Sequence, residues 1–250
     1  MLSAQTTGGQ ERWRTVARSI GEIFVTGGLV VLLFVVYELF VTDVITDRRQ
    51  AQLKEDLRQE WAVEAEAPAA PRASILGDAF AVLHIPRLGD DYEQVVLEGT
   101  AEEQLAQGPG HYEGTALPGE QGNMALAGHR VGNGAPFLDL DLLRPGDPIV
   151  VETGDRWFVY RVLGDPATGD FTTDPSGIPG RQIVRPSDIE VISPTPNGPE
   201  NGPPTGAYLT LTTCHPKYSA RQRLIIHAGL DGVGLTKGEV PDGPPALREI

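Results

Sequence analysis

The chain has 250 residues, 40% of them hydrophobic, enough for one moderate domain with appendages. Twenty Lys+Arg against 34 Asp+Glu give a formal net charge of −14, which excludes a nucleic-acid binder with a basic face and attachment to a broad anionic surface. Thirty Gly and 21 Pro argue against a helical bundle and for short strands joined by many turns.

Ile20 to Val41 is the most apolar stretch, and its centre, Leu29 to Val36, carries no charge. As a helix it spans ~33 Å at ~1.5 Å per residue, enough for a hydrocarbon core of ~30 Å. Arg12, Arg14 and Arg18 precede it, so residues 1–19 are expected in the cytoplasm and everything after Val41 outside the cell membrane. No small-x-small site follows closely enough for cleavage, so 20–41 is expected to be an uncleaved signal anchor. Residues 42–77 start charged and end Ala/Pro-rich; they are expected to form an extracellular stalk, with a short helix within Gln50–Trp61. The tail, 233–250, has Pro241, Pro244 and Pro245 and is expected to be disordered.

Residues 78–232 carry a β pattern. Strands are predicted at Phe80–Pro86, Tyr92–Leu97, Asn123–Ala127, Asp147–Glu152, Trp157–Leu163, Ile189–Ile192, Ala207–Thr212 and Arg223–Ala228. Thr100 is expected to cap a helical turn through Leu105, with Glu103 closing a capping box. Phe137–Leu143 is a second helical turn. Thr153-Gly154-Asp155 makes a hairpin. The fold class is therefore mainly β: a closed or nearly closed barrel of about eight strands with short helices, preceded by one transmembrane helix.

Cys214 is the only cysteine, at the end of the strand Thr210-Leu211-Thr212-Thr213-Cys214. A lone thiol outside the cell cannot form an internal disulfide, and reactivity is the reading that explains it. A thiol nucleophile needs a base, and His129 ends the strand Asn123–Ala127 in Gly128-His129-Arg130. A developing oxyanion needs a donor, and Arg223 opens the last strand. Blind, a strand-end Cys is more often a small buried hydrophobe and a lone Arg a salt-bridge partner, so the combination carries the argument. His215 is the second candidate base, although adjacent side chains point apart, and Arg221 is the second candidate cation. His84 and His227 sit in apolar strands as packing residues. His111 could border a peptide groove. No Cys/His spacing suggests zinc, and no metal or cofactor is expected.

Thr210-Leu211-Thr212-Thr213-Cys214, with Arg223 heading an apolar strand and Ala127-Gly128-His129-Arg130 earlier in the chain, resembles the sortases. These are membrane-anchored cysteine transpeptidases of Gram-positive bacteria. The resemblance covers Asp78 to Gly232. Thr213-Cys214-His215-Pro216-Lys217-Tyr218-Ser219 is similar to the class E branch of high-GC actinobacteria, which agrees with a composition rich in Ala, Gly, Pro and Arg. It implies Cys214 as nucleophile, His129 as acid and base, and Arg223 as oxyanion and substrate donor. Thr213, His215 and Tyr112 are candidates to touch the substrate. The implied substrates are secreted proteins with a C-terminal LPXTG-like signal, LAXTG in this class, cut between Thr and Gly. The implied acceptor is a peptidoglycan-precursor amine of the lipid II type.

Three alternatives stay open. A pilin-polymerising sortase often carries an Asp-Pro-Trp-like plug before the barrel, and the segment before Phe80 has none. A non-catalytic membrane-tethered β-domain would bind a partner. Another exported thiol enzyme would need a different motif order. The Pro/Gly/Asn-rich segment Ser193–Gly206 is a candidate gate.

Overall fold

The computed structural model describes residues 7–37, 42–66 and 79–249. It comprises two compact units, Met1–Thr42 and Asp43–Ile250. The first is the helix α1, Thr7–Val36. Within it Val16–Val35 is long and apolar enough to cross a membrane. That stretch begins before Ile20 and so takes in Arg18, whose Nε meets Glu22 Oε1 one turn on at 2.9 Å. The predicted end of the span at Val41 lies outside the described residues.

The second unit is a barrel. Its strands are β1 Ala79–His84, β2 Glu93–Glu98, β3 Gly110–His111, β4 Gly122–Ala127, β5 Pro148–Glu152, β6 Arg156–Val162, β7 Arg181–Val184, β8 Ala207–His215, β9 Gln222–Leu230 and β10 Leu235–Thr236. Eight of them close a ring in the order β6-β5-β1-β2-β3-β4-β8-β9, sealed by β9 against β6. The pairs β2–β3 and β4–β8 are parallel, and the others are antiparallel. At the seam β9 divides its edge, with Arg223–Ile226 pairing with β7 and Ala228–Leu230 with β6. The interior is filled by alternate residues, among them Leu83, Met124, Leu126, Ile149, Val151, Leu209, Leu211, Leu224 and Ile226.

Several expectations change. The stalk segment contains a longer helix, α2 (Thr42–Glu66), and it is docked on the barrel. Thr46, Gln50, Leu57 and Trp61, spaced three or four apart with the half-buried Leu53 between, form its buried stripe. Leu57 and Trp61 pack on Ala79, Val82 and Val95. Because β3 is only two residues long, it leaves the backbone of Val95 without a strand partner on that edge. The Gln50 carboxamide takes that place, accepting from Val95 N at 2.7 Å and donating to Val95 O at 3.2 Å. The tail is also ordered through residue 249: β10 pairs with β6, Ala246 is buried beside Trp157, and Lys237 bonds Glu152 at 2.9 Å and lies over the Trp61 ring.

Ile189–Ile192 is a 3-10 turn instead of a strand. Its Val191 carbonyl and that of Ser193 face inward to the Asn123 amide at 3.2 and 3.0 Å, so they cannot join a ladder. The helical turn α3 runs Glu102–Leu105 with Ala101 as N-cap and no side-chain cap, so the capping box does not form. The strands β3, β7 and β10 are too short to show a period of two in sequence.

Candidate active site

Strand alternation decides which side chains share a surface. On β8, Leu209 and Leu211 point into the core, so Thr210, Thr212 and Cys214 lie on the outer face. On β9, Leu224 and Ile226 point in, so Arg223, Ile225 and His227 lie out. On β4, Met124 and Leu126 point in, and Ala125 and Ala127 lie out.

Register then pairs two of the three candidates and relates the third to them. Cys214 stands directly opposite Arg223 in the antiparallel β8–β9 ladder. Such pairs project from one face with Cβ atoms ~4.5–5.5 Å apart. β4 runs parallel to β8, and the last pair of that ladder is Ala127 with Thr212. One more bond follows, Gly128 N to Thr212 O at 3.1 Å, and Thr213 Oγ1 donates to Gly128 O at 2.8 Å. His129 is two residues past Ala127, as Cys214 is two past Thr212, so both stand the same distance beyond the end of that ladder. Gly128 is required here by close approach: a Cβ would lie 2.5 Å from the ring of Phe137, which fills the barrel end beneath it.

Cys214 is a free, half-buried thiol. His129 Nε2 has no hydrogen-bond partner among the described residues, and Glu102 Oε1 of α3 lies 3.7 Å away. The Arg223 guanidinium bonds only the carbonyls of Ala220 and Gln222, at 3.0 and 3.1 Å, and has no carboxylate partner among the described residues. A cation held by backbone alone keeps its charge available to a ligand. Arg221 lies outside β9, in the exposed loop before it. The arrangement can therefore present a nucleophile, a proton carrier and a fixed cation to one carbonyl group.

The other candidates separate by face. Tyr112 lies over the outer surface: its N–H bonds Ala125 O at 2.9 Å and its hydroxyl reaches Thr212 Oγ1 at 3.1 Å. Thr213 is corrected as a substrate contact, because it is buried on the inner side and bonded to Gly128 O. His215 Nδ1 lies 2.9 Å from Arg130 Nη1. Arginine only donates, so Nδ1 accepts and the ring proton sits on Nε2. His111 does not border a groove: it is buried between Glu98 (2.7 Å), Thr115 and Ala116 O. His84 pairs with Glu152 at 3.0 Å. Among the described residues no group of three or more His, Cys, Asp or Glu could hold a metal ion.

On the same outer face, Thr210, Asn123 and His227 form a buried polar chain that the half-buried Gln182 extends. Thr210 Oγ1 donates to Asn123 Oδ1 at 2.7 Å, so it accepts from His227 Nδ1 at 2.8 Å, and His227 Nε2 accepts from Gln182 at 3.0 Å. Burial pushes the His227 imidazole down to about 3. Gln182 also donates to Asn197 Oδ1, while Thr195 Oγ1 accepts from Thr205 N at 3.0 Å. The segment Ser193–Gly206 is thus cross-tied, and opening it as a gate would break these bonds.

Arg130 is a residue that the sequence motifs do not single out. Parity is its signal: two residues past Gly128, it falls on the inner side, where a charge needs a partner, and Asp141 in the next turn supplies one at 2.6 Å. Burial alone pushes the Asp141 carboxyl up, but a backbone bond and the Arg130 guanidinium outweigh it and hold the group below its ordinary value.

A family model described as the Sortase domain matches residues 83–231. Sortase SrtE1 of Streptomyces coelicolor is 38% identical over 84% of this chain and 56% of its own length. This chain thus spans little more than half of that relative. Sortase SrtE2 of the same organism is 35% identical over 88% of this chain and 86% of its own length. Among solved structures, the SrtF sortase of Corynebacterium diphtheriae superposes with a TM-score of 0.63 at 40% identity, covering 72% of this chain and 98% of its own.

Proposed function

The chain belongs to the sortase family of cysteine transpeptidases, with a class E-like character, and we propose that it cuts a C-terminal LAXTG-type sorting signal between Thr and Gly and transfers the protein to a cell-wall precursor amine. The acceptor in this reading is the amine of a lipid II-type peptidoglycan precursor. Residues 20–41 anchor the chain in the cell membrane in this reading, with the N-terminus cytoplasmic and the barrel outside. One observation supports the assignment of roles: Cys214 stands opposite Arg223 on the outer face, at the end of a β4–β8 ladder that stops two residues short of both Cys214 and His129.

The Cys214 thiolate attacks the Thr carbonyl carbon, and the carbonyl electron pair moves to oxygen. Arg223 faces that oxyanion as a fixed donor. Collapse expels the glycine nitrogen, which takes a proton from the His129 imidazolium, leaving a thioacyl enzyme and a neutral imidazole. His129 then takes a proton from the incoming amine as it attacks the thioester. Collapse of the second intermediate returns the thiolate and forms the new amide. Tyr112 lines the path of the bound signal.

The test is turnover of a quenched Leu-Ala-x-Thr-Gly peptide with an amine acceptor. Cys214→Ala and His129→Ala abolish it, and Arg223→Ala lowers kcat by ~10²–10³. His215→Ala and Arg221→Ala retain most of it. Cysteine-independent cleavage, or a dead His215→Ala beside an active His129→Ala, overturns the assignment.

A further inference from the structure

We infer that Arg130 is a positioning residue that holds Cys214 level with His129; the inference rests on the assignment of those two as the reacting pair. The ladder between β4 and β8 ends just short of both. Its last bond runs from Gly128 N to Thr212 O. In a parallel ladder the next bond of the same direction would run two residues on in each strand, from the amide of residue 130 to the carbonyl of Cys214. The Arg130 side chain makes that link in its place, with Nη1 donating to Cys214 O at 3.3 Å.

The same guanidinium ties down everything around this link. Nη1 also donates to His215 Nδ1 at 2.9 Å, Nη2 to Asp141 Oδ1 at 2.6 Å, and Nε to Leu138 O at 3.4 Å. Leu138 and Asp141 belong to the turn that Phe137 N fastens to the His129 carbonyl at 3.0 Å. One planar fork therefore joins the carbonyl of the nucleophile, the residue after it, and the turn fastened to the histidine. Arg130 itself is 4% exposed, so solvent does not compete for these bonds. It touches neither substrate nor the reacting atoms on the outer face, and acts through the backbone.

A lysine keeps the charge and can satisfy Asp141, but one ammonium cannot span Asp141, Cys214 O and His215 together. Arg130→Lys separates positioning from bulk stability. Full-length chain in detergent is assayed with the Leu-Ala-x-Thr-Gly peptide, and active thiols are counted by iodoacetamide titration. Val151→Ala, a core truncation on β5, is the control for lost stability, and Cys214→Ala runs alongside. The expected result is a ~10–100-fold fall in kcat per titrated thiol for Arg130→Lys, with KM for the peptide within about twofold, since small misplacements of reacting groups cost that much. Val151→Ala keeps its kcat per titrated thiol while melting lower. The inference is overturned if Arg130→Lys turns over per thiol as the parent does, or loses no more per thiol than the control. Turnover surviving in Cys214→Ala refutes the thiol reading itself, a result distinct from either.

Discussion

Acid should destabilise this barrel through one histidine, and the size of the loss follows from its surroundings. His227 is fully buried, gives its Nδ1 proton to Thr210 and receives the Gln182 amide at Nε2. A second ring proton would face the Gln182 amide donor to donor, in a buried site. Burial therefore holds the imidazole at about 3, against an ordinary value of 6.5. The unfolded chain takes up that proton near its ordinary value and the folded chain does not. Stability is then fully present above pH ~6.5 and drains away as pH falls toward ~3. Between pH 7.5 and pH 5 the loss comes to about 2 kcal/mol, from RT times the logarithm of the ratio of the two proton-binding terms. Urea unfolding of residues 43–250 at the two pH values measures it, beside His227→Gln, whose neutral amide does not titrate. The variant is less stable at pH 7.5 but should lose about 2 kcal/mol less on acidification, while the other histidines cancel in the comparison. Equal losses in the two proteins would mean that His227 takes its proton in the folded state, and the reasoning would fail.

Two further expectations concern packing. Gly128→Ala drives a methyl into the Phe137 ring; overpacking of this kind costs ~1–3 kcal/mol, and because the strain lands beside His129, kcat should fall more than the melting temperature suggests. Trp61→Ala removes the main apolar contact of α2 and should weaken its docking by ~3 kcal/mol, read as lost amide-exchange protection across 43–66 with protection of the β-strands kept. Uniform loss across strands and helix would show that α2 and the barrel unfold as one unit.

Much of the site is legible in the amino-acid sequence. A lone Cys at a strand end, a His at the end of a short apolar strand and an Arg opening the last strand are local patterns, each readable from a few neighbours. The longer barrel strands are legible because alternation survives over five or more residues. The two-residue β3 and β10 carry no such pattern, and the 3-10 turn at Ile189–Ile192 imitates one. The docked helix is hard to see although its stripe is in the sequence, because Thr46 and Gln50 are polar and do not read as a buried face. Thr213 looks close to the substrate because it flanks Cys214, whereas the pleat turns it to the inner side, where it is buried.

The residue types and their order along the chain, a potential membrane span followed by a β-domain with His, Cys and Arg, are determined by the sequence alone, since short-range chemistry and periodicity encode them. Which residues meet is decided only by the tertiary structure. His129 and Cys214 are 85 positions apart, and only the parallel pairing of Ala127 with Thr212 brings their two strand ends side by side. The brace between them, Arg130, gains its partners only when three separate segments close on one buried guanidinium. A buried charge is stable only where folding has already gathered its acceptors, and no short window of sequence contains them.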